Sequence, residues 1–156
     1  MANKYFVKSK DLINKIIDKV KRASSFVDDY KKIGKIPSMP TNAFINMASS
    51  MYAMGRLQEA EDLLRSAVCF PSKSSNALLN LGIIKQSTGD YNQAIKYYLA
   101  ASKKDKTNAK AFVLWGNCLA IMCNLEGAAR KYEKALTINP EDAEAYLSWG
   151  DLLIKQ

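Results

Sequence analysis

From residue 41 onward, apolar positions recur at spacings of three and four, so that each run presents a single helix face. The whole pattern then returns after 34 residues. Leu78-Leu79-Asn80-Leu81-Gly82 aligns without gaps on Phe112-Val113-Leu114-Trp115-Gly116, and Ala94, Tyr98 and Ala101 align on Ala128, Tyr132 and Ala135. Three series of small residues keep this interval: Ala48, Gly82, Gly116 and Gly150; Ala60, Ala94 and Ala128; Ala67, Ala101 and Ala135. Large residues keep it too, as Phe44, Leu78, Phe112 and Tyr146, as Met47, Leu81, Trp115 and Trp149, and as Leu64, Tyr98 and Tyr132.

Each period reads as two antiparallel helices. A small residue where two helices cross lets their backbones approach, and large residues beside it fill the flanks. One pair of helices cannot bury both of its faces, so successive pairs must stack. Thr41, Ser74 or Ser75, Thr107 or Asn108, and Asp142 are candidate N-caps for the first helix of each unit. Gly55 and Gly89 mark the turn within a unit. In the third unit Cys123-Asn124 stands there instead, and Asn124 is expected to take the left-handed backbone. Pro71 and Pro140 close two units. The pattern predicts an all-α chain with units at 41–74, 75–108 and 109–142, followed by the first helix of a further unit at 143–156.

This composite of Leu or aromatic, Leu/Trp-Gly, Ala, aromatic, Ala and Pro at a period of 34 resembles the tetratricopeptide repeat. The resemblance covers about three quarters of the chain. It implies an α-α superhelix of antiparallel helix pairs, right-handed, with a concave groove that receives peptides or partner helices. It also implies which residues line that groove, namely those on the first helix of each unit, on the face away from the second. Those are Asn42, Ile45, Ser49 and Tyr52 in the first unit, and Asn76, Leu79, Asn80, Ile83 and Gln86 in the second. Lys110, Val113, Asn117 and Ile121 follow in the third, then Glu144, Leu147 and Asp151 on the last helix. Ile45, Leu79, Ile83, Val113, Ile121 and Leu147 would form a continuous apolar stripe, which suits an apolar or amphipathic ligand. Relatives that grip a chaperone's C-terminal carboxylate use Lys and Asn, then Asn, then Lys and Arg on three successive first helices. Ile45, Ser49, Asn80, Lys110 and Leu114 stand at those places here. Only Asn80 and Lys110 match, and half the cationic grip is gone, which argues against that mode.

The two ends depart from the repeat. Leu12, Ile13, Ile16, Ile17 and Val20 make one amphipathic face, and Phe26, Tyr30 and Ile33 another. Residues 1–40 are therefore read as basic amphipathic helices forming a degenerate N-terminal repeat. Alternatively they form an arm that binds nucleic acid or an anionic membrane, or one that folds back into the groove. At the other end, Tyr146, Trp149, Gly150 and Leu153 follow the repeat and are expected to face inward. Leu147, Leu152 and Ile154 would then stay uncovered, a surface through which helix 143–156 could self-associate.

Charge sharpens the first of these readings. The chain of 156 residues carries a net +8. Ten Lys and Arg against four Asp and Glu fall within residues 1–40, and thirteen against eleven thereafter. The basic character thus belongs to the N-terminal segment. Nucleic-acid or membrane binding is not expected of the array itself, and Lys103, Lys104 and Lys106 read as a solvated turn. No apolar run is long enough to span a bilayer, and the first residues lack a secretory h-region.

Chemistry narrows the field further. With no histidine, neutral-pH acid–base and His-assisted nucleophilic catalysis have no carrier. Cys69, Cys118 and Cys123 lack metal-ligand spacing and read as reduced thiols of a cytoplasmic protein. No catalytic residue, cofactor, metal or small-molecule substrate is expected. The sequence points to a non-catalytic adaptor or scaffold that binds a protein or peptide. The alternative is a regulatory or substrate-docking segment of a larger multidomain protein.

Overall fold

The computed structural model describes residues 41–68 and 74–154, through which seven helices run and no strand. They are α1 (Thr41–Ala53), α2 (Leu57–Val68), α3 (Ser74–Ser87), α4 (Tyr91–Lys104), α5 (Ala109–Ile121), α6 (Leu125–Ile138) and α7 (Ala143–Ile154). The basic segment 1–40, Cys69 and Pro71 lie outside the described residues.

Three-residue turns make hairpins of α1–α2, α3–α4 and α5–α6. Gly55 (φ 74°) and Gly89 (φ 81°) take the left-handed backbone these turns require. In the third turn that backbone falls on Cys123 (φ 59°) rather than on Asn124. The physical reason is that Asn124 has another task. Its side chain accepts from Gly127 N (3.0 Å) as the N-cap of α6, as Asp90 caps α4 through Gln93 N (3.1 Å). Among the first helices, Asn108 caps α5 through Ala111 N (3.3 Å), and Asp142 accepts from Ala145 N (3.1 Å). Thr41 and Ser74 are instead the first helical residues of α1 and α3. Ser75 Oγ donates to the carbonyl of Ala101 (3.1 Å), tying α3 to the end of α4.

The small-residue series lies where helices cross. Ala60, Ala94 and Ala128 are fully buried, as are Ala67, Ala101 and Ala135. Gly82 and Gly116 are buried against the ring faces of Tyr98 and Tyr132. A Cβ on Gly116 would stand 2.5 Å from Tyr132 Cε1. The first unit reaches the same fit with Ala48 and the smaller Leu64, both in its core. Each second helix packs on the next first helix, and successive first helices touch one another as well. The second helices make no comparable contact among the described residues, so the first helices line the inner side of the stack. Between α2 and α3 an ion pair adds to the apolar join. Glu61, only 7% exposed, accepts from Lys85 Nζ (2.7 Å) and Arg65 Nη2 (2.6 Å).

Helix α7 follows the expected orientation only in part: Trp149 packs on the core as expected. Leu152 is buried with the α5–α6 core, whereas Tyr146 and Leu153 are exposed. Tyr146, Gly150 and Leu153 form the face that a second helix covers in the earlier units. Among the described residues no helix lies against it, and a Cβ on Gly150 would meet nothing within 4 Å. Leu147 and Ile154 are exposed as expected.

Candidate functional site

Three contiguous cavities run along the inner face. The first, about 230 Å³, lies between α1 and α3 and is lined by Ala48, Tyr52, Leu64, Ile83 and Ile84, together with Ser49 and Asn80. The middle one, about 350 Å³, shares Tyr52 and Ile83 with it and adds Tyr91, Lys110, Leu114 and Glu144. The third, about 340 Å³, shares Gln86 and Ile121 with the middle one and reaches Asn117, Ser148, Asp151 and Leu152. Shared walls make the three one groove.

Two buried tyrosines set its polar groups. Tyr98 OH donates to Gln86 Oε1 (2.7 Å), and Tyr132 OH donates to Asn117 Oδ1 (2.8 Å). Burial pushes both hydroxyls well up from the ordinary tyrosine range, that of Tyr132 to about 12 with Asp151 and Cys118 adding to the effect. Both therefore remain donors at any physiological pH. With its oxygen engaged by a tyrosine hydroxyl, each amide keeps its NH₂ group as a donor at the cavity wall. In the first unit Leu64 replaces tyrosine and has no hydroxyl to extend. The first cavity, with Leu64 in its wall, stays apolar.

The groove residues inferred from the sequence divide into two groups. Ser49, Tyr52, Asn80, Ile83, Gln86 and Lys110 are brought together in the cavities, and so are Asn117 and Ile121. Glu144 and Asp151 join them from α7. Asn42 and Asn76 are exposed and line none of the three. The continuous apolar stripe is corrected. Val113 is 0% exposed and Leu79 8% exposed, both in the core, and Ile45 is half-buried against it. The reason is a further small-residue series, Ala77, Ala111 and Ala145, each at most 0% exposed. These alanines let each first helix press on the one before, covering Ile45, Leu79 and Val113 in turn. Leu147 is next in that row, has no such neighbour among the described residues, and is 71% exposed, away from the cavities.

Leu64 and Tyr132, contributed by second helices, were not among the inferred groove residues. Their signal lay in the series Leu64, Tyr98, Tyr132, where one member is shorter than the others. Tyr91 of α4 enters the groove in the same way. Behind these walls Cys118 is fully buried, its thiol pushed up to about 11 by burial, while Cys123 is exposed at its turn. On α5, Trp115 stacks with Phe112 and carries Lys131 Nζ over its ring at 3.7 Å, covering an aromatic surface outside the groove. No cluster of metal-ligating side chains occurs among the described residues, and no described helix is long and apolar enough to cross a membrane.

Comparison with known proteins gives two matches to models of the tetratricopeptide repeat, over residues 77–110 and 109–142. A curated relative, the "Protein CTR9 homolog" of Arabidopsis thaliana, is 28% identical over 114 residues, covering 68% of this chain. The chain spans about a tenth of that relative's length, 10%. Among solved structures, the TPR domain of Sgt2 from Aspergillus fumigatus superposes with a TM-score of 0.69 at 18% identity, covering 76% of this chain and 80% of that one. The first TPR of Spaghetti (RPAP3), bound to the HSP90 peptide SRMEEVD, gives 0.68 at 17% identity, over 77% and 95%. Yersinia enterocolitica SycD, in complex with a peptide of the translocator YopD, gives 0.65 at 18%, over 73% and 92%. At these identities the likeness is one of fold.

Proposed function

Because this chain carries tetratricopeptide repeats across residues 77–142, we propose that it is a non-catalytic adaptor or scaffold that holds a partner's peptide segment along the inner face of its first helices. In this reading residues 41–156 form one repeat array, and the protein works in the cytoplasm. The observation that carries it is the run of three cavities with shared walls, apolar at one end and fitted with two tyrosine-backed amides. Apolar cavities anchor side chains, while oriented amides hold a backbone. Peptides bound to Spaghetti and to SycD support a peptide as ligand class. A grip on a terminal carboxylate is disfavoured, because Leu114 is buried where that mode needs a cation, and Ile45 and Ser49 offer none.

Ile83 tests the reading, since it lines both the first and the middle cavity. Ile83→Glu places a carboxylate on the shared wall. Panning a library of displayed random peptides should give binders for the wild type and none for the variant, with helical circular dichroism unchanged. Equal capture by the two proteins would rule out the groove.

A second reading rests on the match to about a tenth of a larger relative, 10% of its length. Here the same groove serves as a docking segment within a longer protein. The peptide experiment bears on the groove in either setting.

A further inference from the structure

The three cavities differ in chemistry, and the difference has a direction. The first has an apolar floor because Ala48 and Leu64 stand where the later units have glycine and tyrosine. The middle one has one charge of each sign, Lys110 and Glu144, and so selects for neither. In the third, Asp151 is the sole charged residue of the wall, with Ser148 beside it. A cationic side chain there would meet a carboxylate with no competing cation on the wall.

Resting on the groove reading above, we propose that the groove selects an extended peptide of fixed polarity: an apolar side chain in the cavity between α1 and α3, and a Lys or Arg in the cavity beside Asp151. Gln86 lies between the two, in the walls of the middle and third cavities, and Asn117 stands in the third beside Asp151; with their oxygens taken by tyrosine hydroxyls, their NH₂ groups hold main-chain carbonyls of the peptide. The outer cavities are two first-helix spacings apart. At about 8–10 Å per spacing, an extended chain rising about 3.3 Å per residue places the anchors roughly five or six residues apart. The ligand is thus an apolar residue and a basic one at that separation, with small or polar residues between.

The test is selection of displayed random peptides on the whole chain and on three variants, followed by fluorescence anisotropy with the best labelled wild-type peptide. Wild type should enrich an apolar residue and a Lys or Arg about five or six positions apart. Asp151→Asn, at an exposed position, should keep the apolar preference and lose the basic one. It should weaken the selected peptide by roughly tenfold, the weight of one charge-assisted hydrogen bond. The double variant Ala48→Gly/Leu64→Tyr rebuilds the later units' arrangement in the first. It should lose the apolar preference and keep the basic one. If wild type and Asp151→Asn select the same sequences, or if acidic residues are enriched, the polarity is wrong although the groove stands. If wild type selects nothing, or Ile83→Glu selects the same peptides as wild type, the groove fails and the polarity with it.

Discussion

Gly116 and Gly150 occupy equivalent places in successive units, yet an added methyl group has opposite consequences at the two. At Gly116 it would drive into the Tyr132 ring, which is buried and has nowhere to turn. Gly116→Ala should cost about 1–3 kcal/mol through overpacking. At Gly150 it meets open space in mid-helix, so Gly150→Ala should raise stability by up to about 1 kcal/mol. Thermal melts of the two variants against wild type check both signs. The contact that forbids a side chain at Gly116 also aims Asn117 through the tyrosine hydroxyl. Tyr132→Phe should therefore keep most of the stability, yet weaken a groove-bound peptide several-fold, on the order of one neutral hydrogen bond. The small residues were legible in the sequence because only close approach explains Ala or Gly at a fixed interval. The buried fate of Val113 was less so. It depends on Ala145 in the next first helix, a small residue whose role appears only once the units are stacked.

At the scale of elements, two devices hold the hairpins in place. One is the capped turn. Cys123 bears a left-handed backbone that its side chain disfavours, and Gly55 and Gly89 hold the same position elsewhere. Cys123→Gly should stabilise the α5–α6 hairpin by about 0.5–1 kcal/mol, read as a higher melting temperature. The turn's location was plain from the glycine period. The assignment within it was not, because Asn suits both a left-handed backbone and an N-cap, and only the bond to Gly127 N decides between them. The other device is Glu61 between α2 and α3. Burial alone would raise its carboxyl, but hydrogen bonds from Lys85 and Arg65 outweigh that and hold it below the usual carboxylate range. A depressed folded-state value means that the stabilisation is present above the unfolded value and is lost as pH falls through the folded one. Wild type should therefore lose stability below about pH 4.5, in part through this group. Glu61→Gln should be weaker by about 1–3 kcal/mol at neutral pH, since half-buried Lys85 loses its counter-charge, and should show a shallower acid dependence. Urea melts at neutral and acid pH separate the two outcomes.

Among the described helices, each packs chiefly on its sequence neighbours, and successive first helices touch as well, so stability is distributed along the stack rather than concentrated in one core. Damage should stay local. Hydrogen exchange in Gly116→Ala should lose protection across α5–α7 first, while α1–α3 keeps much of its own; uniform loss would show a single cooperative unit instead. The stacking of helix pairs followed from the 34-residue period, because half-buried hairpins have no other stable arrangement. The groove's inner walls did not, since Leu64, Tyr91 and Tyr132 reach it from second helices, across a crossing that a linear pattern does not display.

The burial of Cys118 beside two tyrosines, against the exposure of Cys123 five residues on, gives the third hairpin a chemical clock. Iodoacetamide should alkylate the exposed Cys123 first, while carbamidomethylation of Cys118 waits for α5 to part from α4 and α6. Mass spectrometry of the tryptic fragments would then time that breathing motion in the native protein, with no dye or engineered label.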